Sequence, residues 1–205
     1  MMVGLGTGTT AELAVEALAR RLSADLKIVA VPTSERTRAL AEKLGVPLAP
    51  AGDWPDLDLV IDGADQVERR SLDLIKGLGG ALLREKIVAS AAKRMVVIVD
   101  DSKIVDRLGG QTPLPVEIVA FGWQHTVKRL ADLGLRPRLR VVSGEPFLSD
   151  GGNHIVDCHV GEIADAPSLA AKLAGIVGVI ETGLFLGLAS MVVVGNSTGI
   201  EVMKR

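Results

Sequence analysis

Residues 57–99 read LDLVIDGADQVERRSLDLIKGLGGALLREKIVASAAKRMVVIV. The apolar run Leu57 to Ile61 is short, β-branched at its centre and followed by Asp62 and Gly63, which is the pattern of a buried strand. From about Ala81 to Lys93 the apolar positions recur at helical spacing, and Met95 to Val99 is a second β-branched run. Strand, helix and strand in that order predict parallel pairing through a right-handed crossover.

The rhythm is the same upstream. Gly4-Leu5-Gly6-Thr7-Gly8 leaves a first strand, and Thr9-Thr10-Ala11-Glu12 reads as a capping box for a helix to about Leu22. A strand over Leu26 to Val31 and a helix from Ser34 to Leu44, closed by Gly45, follow. The expected fold class is therefore α/β, a Rossmann-like and mostly parallel sheet with helices on both faces. Past Gly109-Gly110 the pattern changes. Strand Pro115 to Val119, helix Trp123 to Leu133, strands Arg138 to Val142 and His154 to Val160, helix Ser168 to Leu173 and strand Val177 to Ile180 spell β-α-β-β-α-β, a smaller ferredoxin-like α+β unit. The apolar run Met191 to Val194 is most simply a return to the first sheet. These readings divide the chain into a Rossmann-like domain, 1–108 with 185–205, and a ferredoxin-like domain, 109–184.

Open α/β sheets take ligands outside the carboxyl ends of their strands, so Asp62 and Asp65 stand where a ligand would sit. Lys76 opens a glycine-rich turn into the next helix. On that helix Glu85 shares a face with Ala81, Leu82, Val88 and Ala89. Arg84, Glu85 and Lys86 sweep about 200° of helix at roughly 100° per residue, so at least one of these charges faces inward. A carboxylate among apolar neighbours is harder to ionise, the usual route to a glutamate that works as a general base or acid. Taken singly, the aspartates could merely end a strand and cap a turn, and Glu85 could pair with a base. Their concentration in one stretch suggests proton-transfer chemistry on a small polar molecule.

The loop at the first strand is a poor dinucleotide fingerprint: its spacing is G-x-G-x-G, and Pro32-Thr33 ends the second strand where an acidic ribose ligand would be needed. As a phosphate cradle it is better. The amides of Gly6 to Thr10 and the hydroxyls of Thr7, Thr9 and Thr10 gather at a helix N-terminus, whose dipole favours an anion.

Composition narrows the class of partner. The 205 residues are 48% apolar with a formal net charge of -2, so no basic field invites nucleic acid or an anionic membrane. Aromatics are 2% with no tyrosine, which leaves few platforms for stacking bases. The single cysteine, Cys158, excludes an intramolecular disulfide, fits a reducing compartment, and lies in an apolar strand pattern more consistent with packing than with nucleophilic chemistry. His125, His154 and His159 form no local ligand cluster, and no metal site is expected. The N-terminus carries no signal-type pattern, and the apolar stretch after Glu181 falls short of the roughly 20 residues that span a bilayer. A cytoplasmic location is expected.

Three motifs give the chain a family resemblance: GLGTGTT at Gly4 to Thr10, DGAD at Asp62 to Asp65, and KGLGGALLREK at Lys76 to Lys86. With Asp101-Ser102-Lys103, Pro113 to Glu117 and Asn153 to Asp157 in support, the sequence resembles ribose-5-phosphate isomerase of the A type along essentially its whole length. The resemblance implies an aldose-ketose isomerase of the non-oxidative pentose phosphate pathway that needs no cofactor. It implies Glu85 as catalytic base, with Asp62, Asp65 and Lys76 as sugar-site groups. It further implies Thr7, Gly8, Thr9 and Thr10 as the phosphate loop and Lys103 as a ligand contact. Gly63, Ala64, Gly77, Leu78 and Gly79, from the same motifs, are expected to border the substrate. The expected partners are a small sugar phosphate and further copies of the chain, as a homodimer or homotetramer. Leu78 stands where the family usually has glycine, a change whose effect on the backbone near Lys76 the sequence leaves open, and Gly151 stands in place of a usual asparagine. A non-catalytic sugar-phosphate sensor is the rival reading, but it leaves Glu85 and Lys76 unexplained. A nucleotide-dependent dehydrogenase comes third.

Overall fold

The computed structural model describes residues 1–22 and 26–205. The chain forms two compact units, one of Met1–Ala64, Arg84–Ser102 and Gly187–Arg205, the other of Asp65–Leu83 and Lys103–Leu186.

The first unit is built on a six-stranded sheet in the spatial order Gly199–Lys204, Ala189–Asn196, Met95–Asp100, Leu59–Asp62, Met2–Leu5, Val29–Pro32. All neighbours pair parallel except the C-terminal hairpin of Ala189–Asn196 with Gly199–Lys204. The run Met191 to Val194 thus returns to the first sheet, beside Met95–Asp100, as its β-branched composition suggests. Helix Thr9–Leu22 buries Ala11 and Val15, and Val15 packs with Val3, Leu5, Ile28, Ala30, Ala41 and Val46 in one core cluster. Ser34 caps helix Glu35–Lys43 by accepting the Thr37 N–H at 3.0 Å. The capping box expected at Thr9 gives way to a different use of its acid: the Glu12 carboxylate takes an ion pair with Arg36 on the neighbouring helix.

Within this sheet Leu5, Pro32, Asp62 and Asp100 end adjacent parallel strands, so the residues that follow them share one edge. Strand dipoles add little there. What matters is that loops leaving a common edge bring residues distant in sequence side by side.

In the second unit, strands Leu114–Ile118, Arg136–Leu139, His154–His159 and Val179–Thr182 form an antiparallel sheet, and taken as first to fourth in the chain they lie in the order second, third, first, fourth. With helices Trp123–Asp132 and Ala166–Ala174 this is the β-α-β-β-α-β arrangement expected. Its core draws Leu114, Val116, Ile118, Leu130, Val156, Cys158 and Leu173 into one cluster.

A sheet of short strands completes the second unit. Gln66–Glu68 and Leu74–Ile75 form an antiparallel hairpin whose outer neighbours are Ile104–Val105 and Leu184–Phe185. All four strands lie in the second unit, which takes in residues 65–83 and 103–108. Strands of two or three residues carry too little alternation to be read alone; non-local partners define them. No helix among the described residues is long and apolar enough to cross a membrane.

Candidate active site

In the first unit the site residues gather around Asp62. This carboxylate is fully buried at its strand end, and its Oδ1 accepts the N–H of Gly63 at 2.7 Å and of Thr7 at 3.1 Å. Gly6 makes the arrangement possible. A Cβ at that position would lie 2.0 Å from Asp62 Oδ1 and 2.5 Å from Asp62 Cα, so the glycine is required by close approach of the two chain segments. Gly6 donates its own N–H to the Ile61 carbonyl at 2.9 Å.

The loop amides therefore do not all face a ligand. Gly6 and Thr7 direct theirs to Ile61 and Asp62, which corrects the expectation that every amide from Gly6 to Thr10 forms the cradle. The Thr7 hydroxyl also turns inward, 2.8 Å from both Thr33 Oγ1 and Ser34 Oγ and 3.1 Å from Thr37 Oγ1. Thr37 in turn donates to the Gly6 carbonyl at 2.9 Å. Gly8, Thr9 and Thr10 remain at the first turn of helix Thr9–Leu22, where N–H groups have no intrahelical acceptor and an anion can take them. Thr33, Ser34 and Thr37 were missed from sequence, although three hydroxyls clustered just past a strand end were a readable signal.

Glu85 is the inward charge of its triplet. It is only 4% exposed on helix Leu82–Ser90, alongside the buried Val88 and Ala89. Arg84 instead reaches Glu35 at 2.6 Å, and this guanidinium holds the exposed Glu35 carboxyl below its ordinary range. A cavity of about 290 Å³ opens beside Arg84, Ile87, Val88 and Trp54. Glu85 does not line it, so that cavity is distinct from the expected proton-transfer site.

In the second unit Asp65 and Lys76 are joined by the hairpin. The Asp65 N–H donates to the Ile75 carbonyl at 2.9 Å, and its Oδ2 accepts the Leu78 N–H at 2.9 Å. Lys76 is 2% exposed; its N–H donates to the Gly183 carbonyl at 2.9 Å and its Nζ stands 5.6 Å above the centre of the Phe185 ring. An ammonium over an aromatic face gains from the ring quadrupole what it loses in hydration, in part. Gly77 follows with φ +108°, and a Cβ there would meet Leu82 Cδ2 at 2.8 Å and Pro115 Cβ at 3.2 Å.

Leu78 does not strain this turn. It is absent from the positive-φ residues, which among the described non-glycines are Leu72 and Ser143, and its side chain points to solvent. A side chain at this position therefore needs no left-handed backbone. Gly79 is exposed beside it, while Gly63 and Ala64 are half-buried between the two aspartates in sequence. Lys103 is half-buried at the end of the 3₁₀ turn Asp101–Lys103, before which the Asp100 carboxylate accepts the Ser102 N–H at 2.9 Å. At the Gly151 departure, Glu117 is buried and its Oε1 accepts from Ser149 Oγ at 2.7 Å and Asn153 Nδ2 at 2.9 Å. Cys158 is fully buried, and burial pushes its thiol up to about 12, which leaves it inert as a nucleophile.

This arrangement has close relatives. The family model for ribose 5-phosphate isomerase A (phosphoriboisomerase A) matches residues 29–199. The ribose-5-phosphate isomerase A of Gloeobacter violaceus is 52% identical over 203 residues, covering 99% of this chain and 88% of that protein. Its counterpart in Thermomicrobium roseum is 52% identical over 206 residues, covering 100% and 87%. Among solved structures, ribose 5-phosphate isomerase A from Methanocaldococcus jannaschii superposes with a TM-score of 0.94 at 36% identity, over 100% of this chain and 91% of that one. A D-ribose-5-phosphate isomerase in complex with phospho-erythronic acid gives 0.96 at 35% identity, with the same coverage. A match to the family model over most of the chain, and relatives half identical along its full length, establish that this chain belongs to the ribose 5-phosphate isomerase A family.

Proposed function

We propose that the chain interconverts D-ribose 5-phosphate and D-ribulose 5-phosphate through a cis-enediolate, with Glu85 as the base. The observation that carries this assignment of the base is the burial of Glu85, at 4% exposure, on an otherwise apolar helix face within the KGLGGALLREK motif. In the open-chain aldose Glu85 takes the proton from carbon 2 and the electron pair moves into the carbon 1 to carbon 2 bond. Charge then grows on oxygen 1. The proton returns to carbon 1 while the hydroxyl proton on oxygen 2 is passed to oxygen 1, so carbon 1 is reduced as carbon 2 is oxidised and no outside electron carrier enters the balance.

Negative charge on oxygen 1 calls for a preorganised donor, a role that falls to the Lys76 ammonium and to amides of its glycine turn. One of Asp62 and Asp65 carries the hydroxyl proton and assists ring opening. Asp62 already accepts two backbone N–H groups, which fixes its orientation without a solvent contribution. Gly8, Thr9, Thr10 and Lys103 take the phosphate, and Gly63, Ala64, Gly77, Leu78 and Gly79 border the sugar. Binding energy from a phosphate far from the reacting carbons positions them for proton transfer.

The reading carries a cytoplasmic homodimer or homotetramer, supported by exposed apolar side chains such as Leu13, Ile200 and Val202. Light scattering on the purified chain tests that assembly. For the base, Glu85→Gln preserves shape and removes proton acceptance. A positioned base contributes about 10² to 10⁴ in rate, so kcat for ribose 5-phosphate should fall within that range while KM changes far less. Near-normal turnover would give the role to another group.

A further inference from the structure

The turn that carries Lys76 into its helix brings little side chain of its own: Gly77, Leu78, Gly79 and Gly80 offer one, and Leu78 is 44% exposed. Leu82 and Phe147 close on the bare glycines at Gly77 and Gly80. Hydrogen bonds add to that packing, and they converge on a residue no motif contains. Arg140 Nη1 donates to the Gly77 carbonyl and to the Leu78 carbonyl, both at 3.0 Å. Its Nε and Nη2 donate to the two carboxylate oxygens of Asp157, at 2.9 and 2.5 Å. The Phe147 ring centre lies 5.7 Å from the guanidinium carbon.

The Gly77 carbonyl and the Leu78 N–H are two ends of one peptide group. Its oxygen accepts from Arg140, and its N–H donates to Asp65 Oδ2 at 2.9 Å. A single planar unit is thus suspended between a guanidinium and a carboxylate. We infer that Arg140, braced by Asp157, is a positioning residue: it fixes the Gly77–Leu78 peptide and through it the orientation of Asp65. This inference rests on the proposed role of Asp65 in the reaction.

The donor inventory says why arginine is needed. A planar guanidinium carries five N–H donors in a rigid fork, enough to span a carboxylate on one side and two carbonyls on the other. Lysine has one nitrogen, which cannot reach all three acceptors. Drawing the carbonyl toward a cation also polarises the peptide and strengthens the N–H that faces Asp65. Arg140 side-chain exposure is 12%, so water competes weakly for these bonds.

The test is steady-state kinetics on ribose 5-phosphate with Arg140→Lys, Arg140→Met, Asp65→Asn and the double variant Arg140→Met/Asp65→Asn, each normalised to folded protein by circular dichroism. Misplacing a reacting group by about 1 Å costs roughly 10²-fold. Both Arg140 variants should lose about 10- to 100-fold in kcat with KM within about threefold, and the double variant should be no slower than Asp65→Asn alone. Should Arg140→Met fail to fold, Arg140→Lys retains the charge and gives the same readout. If Asp65→Asn is impaired while Arg140→Lys turns over normally, or if the two losses multiply in the double variant, Arg140 does not act through Asp65. If Asp65→Asn itself has normal kcat, the role of Asp65 falls first and this inference falls with it.

Discussion

Gly6→Ala isolates the contact on which the Asp62 arrangement depends. The added methyl would sit 2.0 Å from Asp62 Oδ1, 2.3 Å from its Cγ and 2.5 Å from its Cα. The side-chain oxygen could rotate away, but Cα is backbone, and carbon atoms settle at about 3.5 to 4.0 Å. Relief therefore requires the strands Met2–Leu5 and Leu59–Asp62 to part by about 1 Å at their carboxyl ends. Overpacking of this kind costs about 1 to 3 kcal/mol. Displacing Asp62 also strains its bonds from Thr7 and Gly63, and hydrogen bonds to a charged group are worth about 1.5 to 3 kcal/mol each. Alanine restricts the unfolded chain relative to glycine and returns about 0.4 to 1 kcal/mol. With both bonds lost the balance is about 3 to 9 kcal/mol, a large share of the roughly 5 to 15 kcal/mol that holds a domain folded. At roughly 2 to 4 °C per kcal/mol the melting temperature should drop by about 6 to 36 °C. Gly63→Ala is the control. It adds a methyl at the residue that follows the same carboxylate, where the nearest atom beyond its chain neighbours is the Ile98 carbonyl oxygen at 3.9 Å, and it should change stability by less than about 0.5 kcal/mol. Scanning calorimetry of both variants, with turnover of ribose 5-phosphate, measures the contrast. A Gly6→Ala protein that melts within about 2 °C of the parent and turns over normally would refute the close-approach argument.

Two further outcomes follow from the same geometry. Unphosphorylated ribose should lose kcat as well as affinity relative to ribose 5-phosphate, because anchoring at Gly8, Thr9 and Thr10 orients the reacting carbons; equal kcat for the two sugars would remove the phosphate from the mechanism. With its thiol held near 12, Cys158 carries almost no thiolate at pH 8, so 5,5′-dithiobis(2-nitrobenzoate) should label the native protein only at the rate of unfolding and label it fully in denaturant; rapid labelling of native protein would show that the side chain is not buried.

Much of the fold was legible because burial on both faces leaves unmistakable traces. Met95 to Val99 and Met191 to Val194 are short β-branched runs of the kind that strands of a covered sheet carry, and they pair as such. Asp62 was legible from the end of such a run, and Glu85 from helical periodicity. The hairpin Gln66–Glu68 with Leu74–Ile75 was not, since each strand depends on partners at Ile104 and Leu184. The edge strand Gly199–Lys204 was missed because it is largely exposed and so has no buried face to generate alternation.

The misreadings in the site share a cause. A glycine loop before a helix reads as a row of outward amides, because sequence shows which donors exist and not which acceptors reach them. The acceptors here are the Ile61 carbonyl and Asp62, on a neighbouring strand. Lys76 was read as a site group, but its surroundings were not legible: it is 2% exposed against Phe185, on a strand that pairs with the one preceding it. Arg140 was invisible for the strictest reason. Two of its partners are main-chain carbonyls more than sixty positions away, and a carbonyl leaves no letter in the sequence. The groups that perform chemistry announce themselves by residue type, but those that orient them through backbone atoms are found only once the chain is folded. Arg140 is therefore where substitution is most informative: it tests whether backbone held by a distant side chain sets the rate as strongly as the carboxylate it positions.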